Sequence, residues 1–136
     1  MSETKRSPED VLKALLSVDD VPERDVPMKR FGVDFRIRAL QGDVIDKVQD
    51  QATFYEGKGD KRKKKIDEQK FSALIIQRAC IVPDFSDPAL LNKYETHDAV
   101  DVIKKRLLAG ELANLTVEIM DLSGFGEDTS HEEVKN

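Results

Sequence analysis

The sequence predicts an α+β fold that is mainly α, with about five or six helices and one β-hairpin in its N-terminal half. Apolar side chains recur at helical spacing over most of the chain, whereas residues 34–40 alternate apolar and polar side chains, as a half-buried strand does. The chain has 136 residues, of which 39% are apolar, enough for one modest core. We therefore predict a single domain over residues 7–126, between a disordered N-terminus at residues 1–6 and a disordered acidic tail at residues 127–136.

The predicted hairpin turns at Gly32, where the absence of a Cβ atom allows the positive φ angle of a tight turn. Val26 and Met28 would face the core from its first strand. Its second strand would point one set of side chains inward and the other at water: Phe35, Ile37 and Ala39 inward, Asp34, Arg36 and Arg38 outward.

Signals for helix ends divide the rest of the chain. Ser7 followed by Pro8 predicts the cap and first turn of an N-terminal helix with an apolar stripe, formed by Val11, Leu12, Leu15 and Leu16. A second helix begins near Asp43, and its stripe continues to Tyr55. Beyond an exposed, mobile loop we expect four more helices: over residues 67–82, over 87–94, from Asp98, and from a break at Gly110–Glu111 to a stop at 123–126. Asp87 followed by Pro88 predicts the start of the second of these by the same cap-then-proline pattern. The loop itself covers residues 56–65.

Charge, the length of apolar runs and cysteine content argue against several classes of protein. The net charge of −5 combines a local +5 at residues 58–65 with −10 over the rest of the chain, a balance that opposes nucleic-acid binding. The longest apolar run, residues 73–76, is too short to span a membrane, and the first residues lack the apolar segment of a signal peptide. The single cysteine, Cys80, cannot form an internal disulfide. We therefore expect a cytoplasmic protein.

No set of residues in the sequence has the spacing of an active site, a metal site or a cofactor site. His97 and His131 lie far apart, and Asp98 beside His97 is better explained as a helix cap than as part of a catalytic pair. The segment Gly57-Lys58-Gly59 lacks the spacing and the following Ser or Thr of a phosphate-binding loop. We therefore predict a protein that is not an enzyme and that needs no cofactor.

Two surface features could bind a partner. The aromatic residues Phe31, Phe54 and Tyr55 either pack as core or staple residues, or rim a groove for an apolar partner segment beside Arg36 and Arg38 of the hairpin. The basic run is either a solvated loop or a polyanion contact, formed by Lys61, Arg62, Lys63, Lys64 and Lys65. No aromatic residue is interleaved with this run to stack on bases.

Three passages of the chain resemble a known protein family. They are residues 25–40, 81–91 and 107–115, which read DVPMKRFGVDFRIRAL, IVPDFSDPALL and LLAGELANL, and the last leads to LSGF at residues 122–125. With the helices between them they span about residues 5–126. In this order they resemble the XkdN-like family of phage tail assembly chaperones.

The resemblance implies a non-enzymatic role. Such chaperones bind the long, helical, apolar tape-measure protein, keep it soluble, help to bring tail-tube subunits to it, and are absent from the finished virion. In related phages a translational frameshift adds a second domain that recruits the tube protein, and the short acidic end suggests the shorter product here. No residue-level binding motif is transferred, and self-association is left open. The alternatives are a nucleic-acid-binding accessory protein that uses residues 58–65, and a structural tail component.

Overall fold

The structure, a computed structural model, describes residues 7–125 of the chain. Within them six α-helices form: α1 (Pro8–Ser17), α2 (Gly42–Ala52), α3 (Glu68–Ala79), α4 (Pro88–Lys93), α5 (Ala99–Arg106) and α6 (Ala109–Leu122). Five strands accompany them: β1 (Glu23–Met28), β2 (Val33–Arg38), β3 (Thr53–Glu56), β4 (Lys63–Ile66) and β5 (Cys80–Val82). The predicted fold class, mainly α with a hairpin in the N-terminal half, is confirmed. Both segments predicted to be disordered, residues 1–6 and 127–136, lie outside the described residues.

Strands β1, β2 and β5 form one antiparallel sheet with β2 in the middle. The turn between β1 and β2 passes through Gly32, whose φ of +69° lies in the left-handed region that favours glycine. In β2, Phe35 and Ile37 are buried, whereas Arg36 and Arg38 are exposed. The alternation therefore predicts the two faces of β2 correctly, but β2 ends at Arg38 and Ala39, predicted to face inward from the strand, lies half-buried beyond it.

The segment predicted as an exposed, mobile loop is in fact a second β-hairpin. Strands β3 and β4 pair from Thr53 opposite Ile66 at the base to Glu56 opposite Lys63 near the turn. The two base residues are half-buried, and the turn includes Gly57 with a φ of +98°. Lysine can occupy such a surface strand because its long stem lies along the sheet while its ammonium group reaches water. The glycines and like charges of this segment therefore mark a charged hairpin and not a loop.

This second hairpin also decides the position of Phe54 and Tyr55. The sequence pattern places both at the end of a helix, but α2 ends at Ala52 and the two aromatic residues lie in β3. Aromatic side chains fit a pleated strand well, and here the strand pairing of β3 overrides the helical periodicity. The prediction that the helical stripe continues to Tyr55 is therefore wrong.

The helix predicted over residues 67–82 is three residues shorter at its C-terminal end. Helix α3 ends at Ala79, and the next three residues form β5, in which Cys80 pairs with Ile37 and Val82 pairs with Arg36 of β2. Without β5 the second edge of β2 would be unpaired, so its backbone groups favour an extended partner. The apolar helical pattern cannot show this, because the partner strand lies more than forty residues earlier.

The break before the last helix also lies earlier than predicted. Helix α5 ends at Arg106, Leu108 is the N-cap of α6, and Gly110 lies inside the first turn of α6. The Leu108 N–H donates to Oε1 of Glu111 at 2.9 Å, which satisfies one of the backbone donors left free at a helix start. Glu111 is therefore a helix-capping residue and not a break residue.

The predicted helix caps are confirmed at three positions. The side chain of Ser7 accepts a hydrogen bond from the Asp10 N–H at 3.1 Å. Asp87 and Asp98 accept in the same way from backbone N–H groups two residues later, each at 2.9 Å. Asp98 thus caps α5, which agrees with the preference for a structural role over a catalytic pair with His97.

The hydrophobic core surrounds α3. Residues 73–76 of this helix are four consecutive buried residues, so α3 is covered on more than one side. Helices α2, α5 and α6 pack against it. The largest fully buried side chains come from β2, α2, α3, α5 and α6: Ile37, Val48, Ile75, Ile76, Val102, Ile103, Leu115 and Ile119.

Candidate interaction surfaces

Helix α1 carries an apolar face that no other part of the described chain buries. None of its residues is buried, and Leu15 and Leu16 are 77% and 74% exposed. Val11 and Leu12 lie one turn earlier on the same side of the helix, and they are exposed too. We call these four side chains the α1 face. Contiguous exposed apolar side chains on a small protein mark an interaction surface.

The surroundings of the α1 face are acidic. Glu9 and Asp10 lie in the first turn of α1, and Asp19 and Asp20 follow its last turn. A ten-residue helix is only marginally stable by itself in water, so a partner that covers the α1 face would also stabilise the helix. The arrangement suits an apolar helical segment with basic residues at its margins.

Arg36 and Arg38, the two hairpin arginines predicted to lie at a partner surface, contact groups of the same domain. Arg36 forms ion pairs across the hairpin with Glu23 at 2.7 Å and with Asp25 at 2.8 Å, and these hydrogen bonds raise its guanidinium pKa. Arg38 donates from Nη2 to the Arg78 carbonyl at 3.2 Å. Both side chains are exposed, and their role in partner binding stays a prediction.

Phe31 is half-buried and packs against the core. Its ring stacks on Phe35 with centroids 6.1 Å apart. The guanidinium groups of Arg30 and Arg106 lie 4.4 and 4.8 Å from its centroid. These contacts favour the interpretation of Phe31 as a staple residue between the β1–β2 turn and the end of α5.

Phe54 and Tyr55 lie in β3, whereas Phe31 lies in the turn between β1 and β2, so the predicted aromatic set is divided between two hairpins. They are 41% and 54% exposed, and the strand register places them opposite Lys65 and Lys64. Arg62 lies over the Tyr55 ring, 4.7 Å from its centroid. The structure thus brings aromatic and basic side chains together, although no aromatic residue lies within the basic run in the sequence.

The basic run occupies this second hairpin. We call the unit formed by β3, β4 and the turn between them the basic hairpin, residues 53–66. All five cations singled out from the sequence are exposed: Lys61, Arg62, Lys63, Lys64 and Lys65. Among the described residues Lys65 alone of the five has a carboxylate within 4 Å, Glu56 at 2.8 Å. Most of the positive charge on the basic hairpin is therefore not neutralised within residues 7–125.

An ion pair ties the β1–β2 turn to the start of α6. Arg30 donates from Nε and Nη2 to the two carboxylate oxygens of Glu111 at 2.8 and 2.7 Å, and Nη2 also donates to the Arg106 carbonyl at 3.1 Å. The hydrogen bonds from Arg30 are the main cause that lowers the pKa of Glu111 from 4.5 to about 2. This two-point geometry fixes the position of the hairpin relative to the helices.

The ion pair should make stability depend on pH in acid. Because the folded-state pKa of Glu111 is about 2 and its ordinary value is 4.5, the contribution is fully present above pH 4.5 and is lost as the pH falls towards 2. Urea unfolding at pH 6 and at pH 3.5 measures the free energy of unfolding. We expect this free energy to fall less between pH 6 and pH 3.5 for Glu111→Gln than for the wild type. The control is Asp43→Asn, because Asp43 is an exposed carboxylate with no ion-pair partner among residues 7–125. An equal loss of unfolding free energy for Glu111→Gln and the wild type would contradict the stabilising role of the Arg30–Glu111 ion pair.

The single thiol does not suit a reactive site. Cys80 is half-buried in β5, and burial raises its pKa to about 12, so it is a neutral thiol at physiological pH. Among the described residues no group of three or more His, Cys, Asp or Glu side chains could hold a metal ion. In the same part of the chain no helix combines the length and the apolar character that crossing a membrane requires.

These features define a class of small α+β binding proteins, in which a packed helical core presents an uncovered apolar helix and a charged hairpin. The family model of the phage XkdN-like tail assembly chaperone proteins matches residues 12–135. The chain belongs to this family of phage tail assembly chaperones, and the resemblance of the three sequence passages is thereby confirmed. The family is in general non-enzymatic.

Individual relatives agree with the family match. The chain is 33% identical over 120 residues to the phage-like element PBSX protein XkdN of Bacillus subtilis strain 168, which covers 85% of this chain and 81% of that protein. It is 31% identical over 118 residues to the uncharacterized protein YqbN of the same strain, covering 80% and 79% of the two chains. A crystal structure of YqbN matches with a TM-score of 0.59 at 28% identity, over 80% of this chain and 90% of that chain.

Proposed function

We propose that this chaperone binds the tape-measure protein, keeps it soluble before the tail tube forms, and helps to bring tail-tube subunits to it. Membership of the XkdN-like family supports a role in tail assembly. The uncovered α1 face is the observation that carries the choice of an apolar helical partner. A protein that shields another chain's apolar helix must itself present apolar surface, and α1 does so outside its own core.

The physical need for such a partner follows from the chemistry of the client. A long helix with an apolar stripe aggregates unless another surface covers that stripe. The four side chains of the α1 face recur at helical spacing, so they can lie along a client helix as one amphipathic helix packs on another. The chain's high content of charged residues, 36%, keeps the complex in solution.

The size of the α1 face favours moderate affinity. Full burial of one leucine side chain contributes roughly 1.5–3 kcal/mol to binding. Part of the summed contribution of the four side chains offsets the translational and rotational entropy lost on association, so the net affinity is moderate. Several copies along one tape-measure protein would cover it, and each copy could leave as tube subunits arrive. The protein then acts in the host cytoplasm and is absent from the finished virion, whereas a structural tail component would be found by mass spectrometry of purified tails.

Co-expression with the cognate tape-measure protein tests the proposal. We expect the tape-measure protein to become soluble and to co-purify with the chain, and to aggregate when it is expressed alone. The readouts are the soluble fraction after centrifugation and the composition of the affinity-purified complex. A tape-measure protein that is equally soluble alone and forms no complex would refute the proposed role.

A further inference from the structure

The chain exposes apolar and acidic side chains together at the end of α1 and just beyond it, over residues 15–21. Asp19 and Asp20 are exposed, and neither has a cationic side chain within 4 Å among residues 7–125. The exposed apolar side chains around them are Leu15, Leu16, Val18 and Val21. We call residues 15–21 the acidic segment. It combines apolar surface with unneutralised negative charge.

One face of the basic hairpin combines an aromatic ring with unneutralised positive charge. Tyr55 is opposite Lys64 in the strand register, and directly opposite residues of an antiparallel pair point to the same side of the sheet. Arg62 lies over the Tyr55 ring, 4.7 Å from its centroid. Within the described part of the chain neither cation has a carboxylate within 4 Å. We call Tyr55, Arg62 and Lys64 the Tyr55 face.

The other face of the same hairpin is less suited to an acidic partner. Phe54 precedes Tyr55 in β3, so its side chain points to the opposite side of the sheet, together with that of Lys65. There Lys65 pairs with Glu56 at 2.8 Å, which neutralises its charge. The Tyr55 face therefore has the stronger attraction for carboxylates.

The acidic segment and the Tyr55 face match in charge and in apolar character. The segment offers two carboxylates and four apolar side chains, and the face offers two cations and an exposed ring. Among residues 7–125 no ion pair joins the two surfaces of one molecule. Every copy carries both surfaces, so a second copy of the chain is a partner that fits each of them.

We propose that the acidic segment of one copy binds the Tyr55 face of a second copy, with Asp19 and Asp20 against Arg62 and Lys64. Exposed ion pairs are individually weak, so contact between the apolar side chains and the Tyr55 ring supplies part of the affinity. Because each copy has both surfaces, two copies can make this contact twice in a symmetric dimer.

The contact has a consequence for the α1 face. Leu15 and Leu16 belong to the acidic segment and also to the α1 face, so a second copy covers part of that face in the free protein. An apolar client helix must then displace this copy before it binds. This consequence rests on the proposed function, whereas the contact between copies is tested with the chain alone, without any tape-measure protein.

Sedimentation velocity of the chain alone measures the association. Over about a hundredfold range of concentration, we expect the weight-average sedimentation coefficient to rise above the value of the monomer. A coefficient that stays at the monomer value would overturn the proposal. A monomeric chain that binds a single-stranded poly(dT) probe through Arg62 and Lys64 would assign the Tyr55 face to a polyanion, and would overturn it as well.

Two charge-reversed variants test which surfaces meet. The first carries Asp19→Lys and Asp20→Lys, and the second carries Arg62→Glu and Lys64→Glu. We expect the dissociation constant to rise at least about tenfold for each variant alone, because like charges then face each other. An equimolar mixture of the two should associate within about twofold of the wild type, since every contact between unlike variants again joins opposite charges. A mixture that stays monomeric would overturn the proposal.

A matched control reverses two acids elsewhere. Asp34→Lys with Asp43→Lys changes the net charge from −5 to −1, as the variant at residues 19 and 20 does. Both positions are exposed, and neither carboxylate has an ion-pair partner in the described chain. We expect this control to associate as the wild type does. An equal loss of association in the control would mean that net charge acts and not a specific contact, which would overturn the proposal.

The two neighbouring aromatic residues of β3 test the face. We expect Tyr55→Ala to weaken association at least about fivefold, and Phe54→Ala on the opposite side of the hairpin to leave it within about twofold of the wild type. Circular dichroism checks that both variants are folded. Equal effects of the two substitutions would overturn the assignment of the contact to the Tyr55 face.

Discussion

Replacing Leu12, Leu15 and Leu16 together by alanine is expected to abolish co-purification of the tape-measure protein while the domain stays folded. Each leucine contributes roughly 1.5–3 kcal/mol if it is fully buried at the interface, so the triple variant should bind at least about a hundredfold more weakly. Alanine preserves helix propensity, and none of the three side chains belongs to the core. Pull-down from co-expressing cells measures binding, and circular dichroism checks the fold.

A matched triple variant separates the α1 face from exposed apolar surface in general. Val33, Leu108 and Val117 are 54%, 58% and 63% exposed, and all lie outside α1. Their simultaneous replacement by alanine should leave tape-measure binding within about twofold of the wild type. Equal losses for both triple variants would show that binding follows total exposed apolar area and not the α1 face. Normal binding by the α1 variant would refute the interface assignment, while the chaperone role would still be tested by co-expression.

Replacing Ile75 by alanine is expected to be strongly destabilising. Ile75 is fully buried in α3, the helix against which α2, α5 and α6 pack. Removal of its outer carbon atoms loses transfer free energy and leaves a cavity, which together cost about 2–5 kcal/mol. Since small domains are stable by only about 5–15 kcal/mol, a large part of the total stability would be lost. Urea unfolding followed by circular dichroism measures the change.

The exposed residue Leu16 provides the comparison for Ile75. Leu16→Ala removes the same class of side chain from a surface helix, at a position that is 74% exposed. We expect its free energy of unfolding to stay within about 0.5 kcal/mol of the wild type. A large loss for Leu16→Ala would mean that α1 packs on the domain in solution. A small loss for Ile75→Ala would contradict the central position of α3 in the core.

Local sequence signals predict much of the fold correctly because the interactions behind them are local. Ser7, Asp87 and Asp98 cap helices through backbone groups two or three residues away. Gly32 itself adopts the positive φ angle that the turn requires, and the faces of β2 follow from the two-residue period of a pleated strand. These features need no knowledge of distant residues, and the structure confirms them.

The errors arise where a distant segment decides the local conformation. Cys80 continues an apolar helical pattern, yet it leaves the helix because β2 offers an unpaired edge. The lysines of β4 form a strand because β3 pairs with them, although their charge alone favours a loop. The signal that could have indicated the second hairpin is the pair Phe54–Tyr55, two strand-forming aromatic residues shortly before the turn at Gly57.

The candidate surfaces, too, depend on contacts with distant segments that local sequence patterns do not reveal. The sequence shows that α1 is amphipathic, but an apolar stripe usually faces the protein's own core, so its exposure cannot be read from periodicity. Likewise Arg36 and Phe31 look available in the sequence, whereas Glu23, Asp25 and Phe35 contact them in the fold. Family membership, by contrast, follows from the match of the family model to residues 12–135 and needs no coordinates.

The fold class, the helix caps, the first hairpin and the family can all be predicted from the amino-acid sequence. The folded chain is needed to show which apolar stripe residues 7–125 leave exposed and which charged side chains have no ion-pair partner among them. The physical reason is that periodicity and caps depend on neighbours within about one helical turn, whereas burial and ion pairing depend on segments brought together by folding. In this protein α3 is covered on more than one side and α1 has none of its residues buried, although both sequences read as amphipathic helices.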